Sequence, residues 1–429
     1  MDIIDWAQLS AADQEKALER PAQSSQAQVQ ATVQEIIAAV RERGDAALRE
    51  YAHKLDHCPD DELQLSAEQI SAACERLEPE LKAAIDAAYA NIYKFHAAQK
   101  PCLVSIETVP GIVCHTATHP IEKVGLYVPG GSAPLVSTAL MLGIPAQIAG
   151  CEEVVLTSPY PLSDAIIYAA HKCGISKIFK LGGAHAVAAL AYGTESVPKV
   201  HKIFGPGNQY VTMAKRLVSD DPQGAAIDMP AGPSEVLVIA DKDADPDFVA
   251  ADLLSQAEHG PDSQVILVSD SAELLQKAEQ AVQQQLNVLP RKDIAAQSLA
   301  KSRLIKASSL EECIVISNSY APEHLIVQIA NPQAIVKKLR NAGSIFLGAY
   351  TCEAMGDYAS GTNHTLPTYG YAKTASALGT DDFRRRYTIS CATPDGLRAI
   401  GETVERLAAA ESLEAHRRAV SLRLEKIGR

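Results

Sequence analysis

Residues 153–191 read EVVLTSPYPLSDAIIYAAHKCGISKIFKLGGAHAVAALA, and this stretch decides the fold. Residues 153–157 and 177–181 are short apolar runs rich in Val, Ile, Leu and Phe, each of strand length. Residues 164–173 and 184–191 place apolar side chains at helical spacing. Strand, helix, strand, helix is the rhythm of a parallel sheet covered by helices. The rhythm resumes with EVLVIA at 235–240, a helix ending near Gly260, QVILVS at 264–269, a helix through Leu286 and a strand at 312–317. Two such blocks predict an α/β protein with two open Rossmann-like parallel-sheet domains. Around them lie helical N-terminal and C-terminal extensions. Residues 27–51 and 66–99 read as amphipathic helices, and 394–429 as two charged helices without a strand, a tail suited to packing on something else. No repeat of solenoid period and no low-complexity tract is visible.

The 429 residues are two or three typical domains' worth of chain, with 47% apolar and 21% charged residues. Aromatic residues make up only 5%, so the core is built mainly from Ala, Leu, Ile and Val. The net charge of −13 argues against nucleic acid, which demands a basic surface. The densest basic cluster, Arg384-Arg385-Arg386, sits beside Asp381 and Asp382 and reads as a solvated surface turn. The N-terminus lacks a basic stretch followed by an apolar one, and no apolar run has the length of a membrane span. Nine scattered cysteines without a C-x-x-C pair fit reduced thiols, and the expected location is cytoplasmic.

Three glycine-rich turns are candidates for ligand loops: 127–132 (YVPGGS), 181–184 (LGGA) and 204–208 (FGPGN). The last two fall between a strand and a helix, where main-chain N–H groups can receive a pyrophosphate. None has the G-x-G-x-x-G spacing, and each alone is also ordinary turn chemistry.

Among the 12 histidines, His115 and His119 have the H-x-x-x-H spacing, but in extended chain that separates them by roughly 13 Å, too far for one ion. His259 ends the helix containing LLSQAE and shares its last-turn face with Gln256. The helix dipole favours a cation there, although on this motif alone a helix cap is the simpler reading. An amide oxygen with an imidazole would suit zinc or manganese. APEH at 321–324 puts the Glu323 carboxylate beside the His324 imidazole, on a loop following the strand expected at 313–317, a pairing suited to proton transfer. GDYASGTNHT at 356–365 is a loop holding Asp357 and His364. Glu411 and His416, five apart in the tail, lie about 140° around a helix and do not face one point.

Taken in order, GLYVPGGSAPLVSTALML, KIFGPGN, IDMPAGPSEVLVIAD, LLSQAEHG, APEHL, GDYASGTNHTLPT and the final E-x-x-x-x-H resemble the histidinol dehydrogenase family over most of the chain. The resemblance implies NAD-linked oxidation of L-histidinol through L-histidinal to L-histidine. It places the ligands of one zinc ion per subunit on Gln256, His259, Asp357 and His416. Acid–base chemistry falls on Glu323 and His324. Substrate contacts fall on Ser234, His324, His364 and Glu411 besides the metal ligands, and NAD contacts on Tyr127, the turn 182–185 and Asn208. The family usually has Gln where this chain has His185. The resemblance also implies a homodimer whose C-terminal tail completes the partner's site. The parts it implies are a helical extension (1–23), a larger α/β domain (24–126 with 236–378), an inserted cofactor domain (127–235) and the tail (379–429). Two other readings are a thiolate mechanism on Cys151 or Cys352 and an inactive paralogue that only binds histidine-like ligands.

Overall fold

The computed structural model describes residues 1–21, 26–130, 135–229 and 232–428. Gly131 and Ser132 of the first glycine-rich turn, and Pro230 and Ala231 of IDMPAGPSE, lie outside the described residues.

By internal contacts the chain forms two compact units, Met1–Ala98 with Ile121–Phe383, and Gln99–Pro120 with Arg384–Arg429. The first contains both expected parallel sheets. One has five strands in the spatial order Lys177–Lys180, Glu153–Ser158, Lys123–Tyr127, Lys202–Phe204, Ala226–Ile227. The other has six, in the order Ile3–Asp5, Arg303–Lys306, Gln264–Ser269, Glu235–Ala240, His324–Gln328, Ser344–Leu347. Every pairing in both is parallel. Setting aside the edge strand Ile3–Asp5, the two sheets wind identically. In each, the chain's first strand is central, the second and third lie to one side, and the fourth and fifth to the other.

The strands look as fully covered strands must. All six residues of Glu235–Ala240 and of Gln264–Ser269 are buried, which is why they read as unbroken apolar runs. The covering helices start with polar caps. Asp245 accepts from the Asp247 N–H before Pro246 opens the helix Pro246–Ala257, as a side-chain acceptor followed by Pro favours.

The helix-rich start and the final helix pair, Pro394–Ala410 and Glu414–Lys426, agree with the sequence reading. Three expectations are corrected. The run at 312–317 is helical, inside Leu310–Tyr320, because the Ser309 hydroxyl caps the Glu312 N–H and two Glu residues occupy the first turn. A short apolar run cannot by itself separate a strand from a buried helix. The strand follows it, and His324 is its first residue rather than a loop residue. Arg384, Arg385 and Arg386 begin a nine-residue strand, Arg384–Ala392. It pairs antiparallel with Ile112–Pro120, which also pairs with Ser105–Val109. His115 and His119 therefore lie in a strand of the second unit, as their extended spacing required.

Candidate active site

Two edges of the first unit hold the chemistry-bearing residues. The first is the amino edge of the six-stranded sheet. His324 opens its strand beside Val236, and Glu323 and Ser234 lie just before the strands His324–Gln328 and Glu235–Ala240. The helix Pro246–Ala257 runs back to this edge and delivers Gln256 in its last turn, with His259 just beyond. Asp357 comes from the short helix Glu353–Tyr358, so only the remainder of the segment 356–365 is the expected loop.

His324 is 3% exposed. Its Nδ1 lies 3.2 Å from the Glu235 carbonyl oxygen, an acceptor that places the ring proton on Nδ1. Its Nε2 lies 3.3 Å from Asp357 Oδ1. That approach lacks hydrogen-bond geometry, so both atoms are buried without a partner. Burial disfavours the charged imidazole, but Glu353, Glu323 and Asp357 around it outweigh that and raise its proton affinity well above the ordinary histidine value. Glu323 accepts from the Glu235 N–H at 2.9 Å. Burial pushes its carboxyl up to about 8, against the opposing pull of His324 and that hydrogen bond.

His259, Glu353 and Asp357 offer ligand atoms within 4.8 Å of one another, a group that could hold a metal ion. His259 is exposed at its edge, yet the protein packed around its ring lowers its proton affinity. The buried Gln256 amide is satisfied when its nitrogen donates to Glu353, which turns its oxygen away from that carboxylate. Glu353 is a residue the sequence reading missed. Its signal was the spacing to Asp357, four apart and hence on one helical face.

His364 closes the site. Its Nδ1 donates to the Asp357 carbonyl at 3.0 Å, and its Nε2 accepts from the Thr138 hydroxyl at 3.1 Å. Thr138 lies in the first turn of the helix Val136–Ala149, which follows the central strand of the five-stranded sheet. The amino edge of one sheet is thereby joined to the carboxyl edge of the other.

That carboxyl edge is the second place. Tyr127 ends the central strand, Gly205 follows its neighbour, and the strand order reverses between them, the usual crevice for a ligand in such sheets. Gly205 has φ +120°, and a Cβ there would run into the Tyr127 carbonyl oxygen, so the turn requires glycine. Asn208 caps the helix Gln209–Asp220, its Oδ1 accepting from the N–H groups of Tyr210 and Val211. The amides of the 181–184 turn are not open as expected: Gly182 N–H donates to Asp56 and Gly183 N–H to the Tyr127 hydroxyl. His185 is fully buried, with Nε2 3.0 Å from Asp56 Oδ2.

Glu411 and His416 belong to the other unit. Glu411 caps the helix Pro394–Ala410, His416 lies in Glu414–Lys426, and both are exposed.

The histidinol dehydrogenase family model matches residues 18–424. The chain belongs to the histidinol dehydrogenase family. It is 57% identical over 427 residues to histidinol dehydrogenase of Aliivibrio fischeri, covering 100% of this chain and 97% of that protein. It is also 57% identical over 427 residues to the enzyme of Vibrio cholerae, covering 100% and 99%. The crystal structure of histidinol dehydrogenase from Elizabethkingia anophelis superposes with a TM-score of 0.96 at 47% identity, covering 100% of this chain and 99% of that one. The family makes the chain an oxidoreductase and accounts for both sheets and the accessory unit.

Proposed function

We propose that the protein oxidises L-histidinol to L-histidine through L-histidinal, ending histidine biosynthesis, with one zinc ion per subunit and NAD. The observation that carries this reading is the junction of the two edges through His364 and Thr138. A hydride donor and its acceptor must be held roughly 3–3.5 Å apart, and a site shared by two sheets provides one surface for each.

The residues fit a divalent cation. Gln256 and His259 stand at the negative end of a helix dipole, and Asp357 Oδ1 is a buried acceptor without a donor. This mixed nitrogen and oxygen set suits zinc or manganese. Gln256, His259, Asp357 and the His416 of a second copy would hold the ion, with Glu353 fixing the Gln256 amide. When bound, zinc supplies a cationic anchor for substrate nitrogens, orienting the substrate. NAD held at the carboxyl edge would supply the hydride acceptor for each half-reaction.

The chain's own groups move the protons. His324 Nε2 takes the hydroxyl proton of the alcohol. Glu323 then takes a proton from the water that adds to the aldehyde while His324 returns its proton to the carbonyl oxygen, and the raised proton affinity of Glu323 suits a base working near neutrality. His324 serves again on the resulting diol. Ser234, His364 and the Glu411 of a second copy would line the substrate. The part 127–235 binds the cofactor at its carboxyl edge, with Tyr127 and Asn208 in contact. His185 supports that surface from beneath, through Asp56 and the Gly182 turn.

A homodimer with shared sites accounts for the exposed Glu411 and His416. The unit carrying them also exposes Leu407, Leu413, Leu422 and Ile389, the kind of apolar surface a partner covers. Among the described residues no helix is long and apolar enough to cross a membrane, and none of the nine cysteines is in a disulfide. Both features accord with work in the cytoplasm.

Zinc-loaded protein given L-histidinol should form two NADH per histidine, lose that activity to a chelator and regain it with zinc. Unchanged turnover after complete metal removal would overturn the metal assignment, and no NADH from histidinol would overturn the reaction.

A further inference from the structure

Glu235 is the residue on which the Glu323–His324 pair hangs. Its N–H holds Glu323 Oε2 at 2.9 Å, and its carbonyl oxygen faces His324 Nδ1 at 3.2 Å. Glu235 is 1% exposed, and its carboxylate accepts three hydrogen bonds. Arg20 donates from Nε to Oε1 at 2.5 Å and from Nη2 to Oε2 at 2.9 Å, while the Tyr369 N–H reaches Oε1 at 2.8 Å. The same Arg20 Nη2 donates to the carbonyls of Tyr320 at 2.8 Å and Ala321 at 3.3 Å. Ala321 sits at φ +55°, a conformation unusual for a residue with a Cβ, two positions before Glu323. The guanidinium also lies over the Tyr320 ring, 4.1 Å from its centre.

Arg20 thus ties together three segments: the one entering strand Glu235–Ala240, the one entering strand His324–Gln328, and the loop at Tyr369. None of these contacts is with a residue proposed to touch substrate. A buried ion pair is weak evidence of a stabilising role, since well-packed apolar residues often do as well. What a planar fork supplies, and an apolar side chain cannot, is direction at several acceptors at once.

We propose that Arg20, acting through Glu235 and the Ala321 turn, is the positioning residue that aims the Glu323 carboxylate at the aldehyde-oxidising step. The inference rests on the reading of Glu323 as the base of that step. Lysine cannot replace Arg20, because one ammonium group cannot hold both Glu235 oxygens and the two carbonyls in one plane.

The test compares the full chain as wild type, Arg20→Lys, Arg20→Ala and Glu323→Gln, each zinc-loaded. L-Histidinol and L-histidinal are supplied separately, kcat and KM are read for each, and melting is followed in parallel. A misplacement near 1 Å is enough to lower kcat for histidinal by about 10²-fold in Arg20→Lys. KM should stay within about threefold, and oxidation of histidinol should fall much less. Millimolar guanidinium should restore part of the histidinal rate to Arg20→Ala and none to Glu323→Gln. Wild-type kcat in a folded Arg20→Lys would overturn the proposal, as would equal losses in both half-reactions. If Arg20→Ala does not fold, Arg20→Lys decides alone. Should Glu323→Gln keep full histidinal oxidation, the underlying role of Glu323 falls. Should it lose that activity while Arg20→Lys does not, only the positioning role falls.

Discussion

The five-stranded and six-stranded sheets have the same winding, and the proposed function puts opposite edges to use. In the first, the residues assigned to the cofactor, Tyr127 and Asn208, lie at the carboxyl ends of the strands. In the second, Ser234, Glu323 and His324 lie at the amino ends. The difference follows from helix polarity. Helices leaving a parallel sheet begin at its carboxyl edge, where their N-termini favour an anion such as a pyrophosphate. They return to the amino edge, where their C-termini favour a cation. Pro246–Ala257 makes that return and carries Gln256 to the amino edge. Topology fixes where each kind of charge is welcome, and side chains decide which edge is used.

Substitutions can break or sharpen this contrast. The largest effect is expected at the working amino edge. His324→Ala should lower both half-reactions by about 10²–10⁴, the usual worth of a general base, while leaving NAD affinity unchanged in a binding titration. A parallel loss of NAD binding would mean that the two edges are not separate sites.

The carboxyl edge of the six-stranded sheet should be purely structural. There Gln328, the last residue of its strand, donates to the buried Asp252 at 2.6 Å, and Gln328 Oε1 is left without a donor. Burial raises the Asp252 carboxyl to about 6, from 3.8, against the opposing pull of Gln328. A carboxyl whose folded value is raised contributes stability that is full below about pH 4 and is lost as pH climbs through about 6. A rise of this size corresponds to roughly 2–3 kcal/mol. Asp252→Asn, which can donate to Gln328 Oε1, should remove this dependence and raise the neutral-pH melting temperature with kcat and KM intact. A large fall in kcat would show that this edge takes part in the chemistry.

The smallest effect is expected from the cysteines. Cys151 donates to the Phe383 carbonyl, and Cys352 precedes the helix bearing Glu353 and Asp357. Joint replacement by Ala should keep steady-state turnover within about twofold, as for structural thiols. A collapse would revive a thiolate mechanism.

Both sheets were legible in the sequence because doubly covered strands such as EVLVIA and QVILVS are apolar throughout. Strand Arg384–Ala392 was not, because an exposed antiparallel strand carrying three arginines has no apolar run to announce it. The run at 312–317 misled because length and β-branching could not outvote the Ser309 cap. At the site, motif text identified Gln256, His259, Glu323, His324, Asp357 and His364, all of which the fold gathers. Glu353 was legible only through its four-residue spacing to Asp357, whereas Arg20 and Glu235 were silent, since their roles depend on partners up to 301 positions away, as Arg20 is from Ala321. The turn amides of Gly182 and Gly183 looked available because sequence cannot show that Asp56 and Tyr127 already occupy them.

The most direct test of the two-edge account titrates zinc and NAD separately into Asp357→Ala and Gly205→Ala. The account predicts that Asp357→Ala weakens zinc by at least about tenfold and spares NAD, while Gly205→Ala, forced against the Tyr127 carbonyl, does the reverse. Loss of both ligands in either variant, or the opposite pairing, would contradict it.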